Sequence, residues 1–178
     1  MATHFSDIDS AALSFNAPSN IKHGAILNTK DTFRALPFQL PPMKVKFGPA
    51  VDEYGGVKLT LDVTDPDLKS KIKDLDNRTV DEMVEHSETW FKKKLSKEIA
   101  TDRFSGLLND SNPKYNPLMK VKLNSKDHRS PTEVYKLNDD GKTVQLCSVQ
   151  DVREGDTVTV IVKFTGLFVG TNGKVYAQ

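Results

Sequence analysis

Two short runs in this chain place ammonium groups at a spacing suited to nucleic-acid phosphates. Met43-Lys-Val-Lys-Phe47 and Met119-Lys-Val-Lys-Leu123 nearly repeat each other. Side chains alternate along a strand, so Lys44 lies with Lys46 and Lys120 with Lys122, roughly 7 Å apart in each pair. Met43, Val45 and Phe47 are then expected on the core-facing side. Six rings stand near these runs: Phe47, Tyr115, Tyr135, Phe164, Phe168 and Tyr176. A basic groove with aromatic platforms holds a single strand without reading its sequence, because cations meet phosphates and bases stack on rings. From Lys114 to Lys136 the basic residues Lys114, Lys120, Lys122, Lys126, Arg129 and Lys136 oppose only Asp127 and Glu133. That is six cations against two acids, +4 locally, in a chain of net charge +1. The candidate phosphate contacts are Lys44, Lys46, Lys114, Lys120, Lys122 and Arg129. The candidate stacking rings are Tyr115, Tyr135 and Phe168, since Phe47 and Phe164 fall on core faces in this reading. Lysines on an edge strand also block sheet-to-sheet association, which is the competing use of the same residues.

Other chemistries leave fewer traces. The sequence has no Gly-Lys-Ser/Thr phosphate loop, no helix with paired metal histidines and no Cys-x-x-Cys. Glu82 and His86 sit one helical turn apart, the spacing of a weak metal or acid/base pair, but the reading favoured here is a solvated helix face. The single cysteine, Cys147, has no internal disulfide partner and reads as a quiet strand thiol, which fits a reducing, intracellular compartment. Asp139-Asp140 is turn chemistry. The expectation is a non-enzyme with no catalytic residue, metal or cofactor. Glu154-Gly-Asp-Thr-Val-Thr-Val resembles a strand opening in the macrolide-binding prolyl isomerases, but only briefly, and no long aromatic-lined stretch follows it.

The elements that must position the lysines follow from pattern. Charged residues make up 28% and apolar ones 37% of 178 residues, enough for one domain with additional material. No apolar run approaches the roughly 20 residues of a membrane span, and no basic-then-apolar leader opens the chain. Residues 1–42 read as a mostly irregular arm. Phe5, Phe15, Phe33 and Phe38 argue that it packs in places or docks on a second copy. Residues 43–47 and 57–63 alternate as a hairpin around a Gly-Pro-rich loop. A helical insertion spans 65–108. It opens at Asp65-Pro66 on Leu68, Ile72 and Leu75, then restarts at the capping box Thr79-Val-Asp-Glu82 and continues through Trp90, Phe91, Leu95 and Ile99. Acids in the first half of that second helix and lysines in the second complement its dipole. Strands follow at 118–123, 133–137 and 143–149, the last two around Asn138-Asp-Asp-Gly141. Asp156 to Val169 reads as one long strand bent at Gly166, and Thr171-Asn-Gly173 turns into a final strand from Lys174. The class is mainly β with inserted helices (α+β). The expected architecture is an antiparallel barrel of the oligonucleotide-binding (OB) type over 43–178, with the helices inserted after its second strand.

Taken together, Met43-Lys-Val-Lys-Phe-Gly-Pro49, the Asp52–Val63 hairpin arm, the inserted helix through Trp90-Phe91, Tyr115-Asn-Pro-Leu-Met-Lys-Val-Lys122 and the closing Gly155-to-Phe168 run resemble the OB-fold single-stranded DNA-binding proteins of phages and large DNA viruses. Order and spacing carry the likeness rather than one motif. The resemblance implies a protein that coats single-stranded DNA in replication, recombination or repair, with RNA open as a second ligand. Many members carry an acidic C-terminal tail, and the residues up to Gln178 form none. The alternative is a structural, virion-type interaction protein, with the arm docked on a neighbouring subunit and the lysines serving solubility.

Overall fold

The structure, a computed structural model, describes all residues except 1, 31, 32, 34–36, 53, 54, 113, 125–130, 139 and 140. In chain order its main elements are β1 (Ser19–Ile21), β2 (Gly24–Asn28), β3 (Met43–Val51), β4 (Val57–Asp62), α1 (Pro66–Glu85), α2 (Ser87–Phe91), α3 (Lys97–Arg103), β5 (Leu118–Leu123), β6 (Val134–Leu137), β7 (Val144–Cys147), β8 (Thr157–Val158), β9 (Gly166–Gly170) and β10 (Val175–Ala177). The chain is mainly β, with the α-helices α1 to α3 between β4 and β5, and it divides into two compact units. One comprises Met1–Pro41, Asp65–Asn109 and Thr159–Gln178. The other comprises Pro42–Thr64 and Asp110–Val158.

In the first unit β1, β2, β9 and β10 pair antiparallel in that order, and the short strand Phe104–Ser105 adds to β10 in parallel. Leu27, Leu167 and Val175 point to the inner face and are fully buried. Helix α1 buries Leu68, Ile72, Leu75, Val80 and Met83, the i, i+3, i+4 stripe of an amphipathic helix. The segment before β1 is fastened to α1: Lys71 donates from Nζ to the Ile8 carbonyl at 2.9 Å, and Arg78 from Nε to the Leu13 carbonyl at 3.3 Å. Residues 1–42 are therefore less irregular than their composition suggests. Phe5, Phe15, Phe33 and Phe38 are buried, and β1 and β2 form a hairpin there.

In the second unit β8, β3, β4 and β5 form an antiparallel sheet in that order. Its inner face buries Met43, Val45, Leu59, Leu61, Met119 and Leu123. Strands β6 and β7 make a separate two-stranded ladder running from Val134 opposite Cys147 to Leu137 opposite Val144.

Three expectations change. The helix does not break at Thr79: α1 is continuous from Pro66 to Glu85. Asp76-Asn77-Arg78 holds no proline or glycine to stop it. The Thr79 hydroxyl, 1% exposed, donates back to the Leu75 carbonyl at 2.8 Å, so it acts as a mid-helix bond rather than a cap. The helix also does not continue to Ile99. It ends at Glu85, the separate short α2 follows from Ser87 to Phe91 and ends at Lys92, left-handed at φ 56°, and α3 restarts behind Ser96, whose hydroxyl accepts from the Ile99 amide. Three adjacent lysines, Lys92 to Lys94, followed by a strong N-cap residue favour that interruption. Finally, the Asp156–Val169 run is not one strand. Thr157–Val158 pairs with β3, Ile161–Val162 with Phe38–Gln39, and Gly166–Gly170 with β2 and β10. High β propensity did not carry with it a single partner.

Candidate nucleic-acid interface

Register decides which side chains share a face. In an antiparallel ladder, directly paired residues project to the same side of the sheet. Across β8, β3, β4 and β5, Thr157, Lys44, Asp62 and Leu118 form one row. Phe47, Thr60 and Lys120 form the next, and Ala50, Lys58 and Lys122 the third. Lys44, Phe47, Lys120 and Lys122 are exposed, Lys58 is half-exposed, and the alternate residues of these strands fill the core. The outer face thus carries four ammonium groups around one ring. Its acids are Asp62, opposite Lys44, and Asp52, whose carboxylate lies 2.9 Å from Lys58 Nζ.

Phe47 reverses the sequence reading. The pairing passes from Val45 opposite Leu61 to Phe47 opposite Thr60, so β3 holds one extra residue, Lys46, at a bulge. That one-residue slip turns Phe47 over, and a second shift between Phe47 and Ala50 turns the strand back. Phe47 is consequently 52% exposed rather than buried, and the alternation expected for Lys44 and Lys46 does not hold. Lys46 sits at the bulge itself, half-buried.

The other candidates are dispersed. Lys114 and Tyr115 lie in the turn before β5, with the Lys114 amide donating to Asn112 Oδ1 at 3.1 Å and the Tyr115 ring 70% exposed. That turn joins the sheet beyond the Lys44 row, where the Val63 amide donates to the Pro117 carbonyl at 2.9 Å. Tyr135 stands on the β6–β7 hairpin, in the same unit but off this sheet. Its hydroxyl donates to the Glu133 carboxylate at 2.7 Å. That bond, with the carboxylate's charge, raises the phenol's pKa above its ordinary value. Phe168 belongs to the other unit, on β9. Arg129 lies outside the described residues. Lys58 was missed although its signal was present, since the alternation of Val57-Lys-Leu-Thr-Leu61 already turned it away from the core.

Elsewhere, Glu82, Glu85 and His86 bring potential metal-ligand atoms within 4.8 Å of one another. Glu82 is already ion-paired with Arg78, and the His86 ring stacks on Trp90 at 5.2 Å. Cys147 is half-buried, with Sγ 3.4 Å from the Gln145 carbonyl. Among the described residues no helix is long and apolar enough to cross a membrane.

Residues 49–175 match the model of a family described as "Family of unknown function (DUF5871)", and the chain belongs to that family. No curated protein and no solved structure matches the chain.

Proposed function

We propose that this family member binds single-stranded nucleic acid, DNA first, through the outer face of the β8-β3-β4-β5 sheet. We assign that sheet to one wall of an OB-type barrel. The reading rests on one observation: the pairing register that gathers Lys44, Lys58, Lys120 and Lys122 around an exposed Phe47. Lys58 and Lys122 stand directly opposite each other. The Asp52 carboxylate already answers Lys58, and a phosphate backbone competes with it for that ammonium while also meeting Lys122. Lys120 and Lys122, two residues apart along one strand, sit roughly 7 Å from each other, a span an extended single strand can match with successive phosphates. The ring supplies a stacking surface that every base can use. The role is non-enzymatic and intracellular: coating single strands in replication, recombination or repair, with no strong sequence preference and no cofactor. A polarisation titration with labelled oligo-dT, duplex and RNA tests it. Binding to oligo-dT that weakens steeply as salt rises is expected, and no binding at low salt ends the proposal.

A second reading has its own support. On the β6–β7 hairpin, Tyr135, Leu137, Val144 and Leu146 share one face and are each more than half exposed. A mostly apolar, solvent-facing patch of this kind, with Glu133 at the Tyr135 edge, is what a protein-interaction module presents. If that is the protein's main work, assemblies will persist at high salt and oligonucleotides will not shift.

A further inference from the structure

The first unit carries a second ring platform on the outer face of its own sheet. Pairing lines up Ser19, Ile26, Phe168, Tyr176 and Ser105 across all five strands. Tyr176 is 40% exposed and Phe168 half-buried, while the alternate residues Leu27, Leu167 and Val175 are fully buried beneath. The two rings stack on each other, with centroids 6.2 Å apart and planes 26° apart. Phe168 also lies over Gly24, where an added Cβ would come within 3.1 Å of the ring and 2.0 Å of the Val169 carbonyl oxygen. Gly24 has φ 153°. Glycine there admits the close approach of the Val169 carbonyl, which any Cβ would block.

The same end of the sheet is basic. Gly24 pairs with Gly170, which places the Lys22-His23 turn beside the Thr171-Asn-Gly173 turn. Lys174 closes the second turn, its backbone carbonyl accepting from the Gly170 amide at 2.9 Å. Its Nζ donates to the Asp102 carbonyl at 2.7 Å and lies 3.7 Å from the Asp102 carboxylate. The Arg103 guanidinium reaches the same turn, 3.6 Å from where a Cβ on Gly173 would stand. Among the described residues of these turns and the end of α3, the cations Lys22, Arg103 and Lys174 stand against one acid, Asp102.

We propose that this face is a second, separate site for a single-stranded nucleic acid, with one base stacking on the Phe168–Tyr176 pair and the neighbouring phosphates meeting Lys22, Arg103 and Lys174. The occupant follows from the combination of chemistries. A stacked aromatic pair on the outer face suits a planar base, and the cations beside it suit the anion attached to it. The inference rests on the same ligand class as the proposed function but on different residues in a different unit, so the chain becomes a two-site binder.

Stoichiometry tests it. Native mass spectrometry of the full chain with a dT hexamer at low salt is expected to give two hexamers per chain. Tyr176→Ala should remove one of them, weakening that site roughly tenfold, and Lys120→Ala/Lys122→Ala should remove the other. Lys22→Glu, a turn substitution, should mimic Tyr176→Ala without touching the ring. Photocrosslinking of bromodeoxyuridine oligomers to the unaltered chain should label the peptide holding Phe168 and the peptide holding Tyr176. One hexamer per chain that is lost with the lysine pair and indifferent to both Tyr176→Ala and Lys22→Glu overturns this inference and leaves the proposed function standing. One hexamer lost with Tyr176→Ala and indifferent to the lysine pair does the reverse. No hexamer bound ends both.

Discussion

The sheet of the first unit and the sheet of the second bury the same kind of side chain and expose different kinds. Inside, Leu27, Leu167 and Val175 in one correspond to Met43, Val45 and Leu61 in the other, all at most 2% exposed. Outside, one presents Ile26, Phe168 and Tyr176, with Lys22 and Lys174 at its turns and Arg103 at the end of α3. The other presents four lysines along its strands around a single ring. Inner faces are set by what a core requires, which leaves little choice beyond apolar and well shaped. Outer faces answer to solubility and to ligands. Core packing does not require four lysines on one outer face, so the composition of that face is where the proposed function is read.

The comparison can be broken most forcefully from the inside. Leu61→Ala in the lysine-bearing sheet and Leu167→Ala in the ring-bearing sheet each remove a side chain with no exposed surface. Each is expected to cost about 2–5 kcal/mol of stability, read by urea denaturation. The outer-face change Lys120→Ala/Lys122→Ala is expected to stay within about 0.5 kcal/mol. If the lysine pair destabilised the protein as much as Leu61→Ala, the division between a structural inner face and a functional outer face would fail.

Binding sharpens the same contrast. Lys58→Ala/Lys120→Ala/Lys122→Ala removes three phosphate contacts, so the slope of log affinity against log salt should become shallower by about 2, at roughly 0.7 per phosphate on a single strand. An unchanged slope would show that these ammonium groups never meet the backbone. Phe47→Ala removes the ring at the centre of the face. About 1–3 kcal/mol of affinity is expected to go with it, with the salt slope unaltered, because a ring releases no counterions.

How far all this could be read from the sequence depends on whether the determinant was local. The start of α1 was legible: Asp65 caps through its carboxylate, which accepts from the Leu68 amide at 2.8 Å, with proline next in line. The pairings of β3 with β4 and of β6 with β7 and the β9–β10 turn were legible for the same reason, though Asp139 and Asp140 lie outside the described residues, and Gly173 has the positive φ that an Asn-Gly turn needs, at 77°. The bulge at Lys46 was not, because it exists only in relation to the residue count of β4, and that single insertion decides whether Phe47 is core or platform. Nor could β2 be found next to β9, since an edge between strands from opposite ends of the chain leaves no local mark. Lys58 is the instructive case: alternation had already exposed it, and it was passed over because it has no second lysine two residues away on its own strand. Its partners are across the ladder, where sequence spacing does not reach.

The smallest expected effect concerns the ring that belongs to neither sheet. Tyr135 is exposed like Phe47, yet its hydroxyl is held by Glu133, and an anion beside the ring discourages a phosphate from approaching. The bond favours the neutral phenol, which is why its pKa is raised. The stabilisation is therefore fully present below the ordinary tyrosine value and is lost as pH climbs through the raised one. Glu133→Gln replaces the charged acceptor with a neutral one, so the pKa of Tyr135 should fall back toward the ordinary range. Absorbance at about 295 nm, the phenolate band, should then show one of the chain's four tyrosines ionising at lower pH. In the same variant, affinity for oligo-dT should rise slightly if the hairpin lies near the strand, because a repelling carboxylate has gone. An affinity that does not move, alongside a pKa that does, would set the hairpin apart from the lysine face and assign its apolar surface to a protein partner.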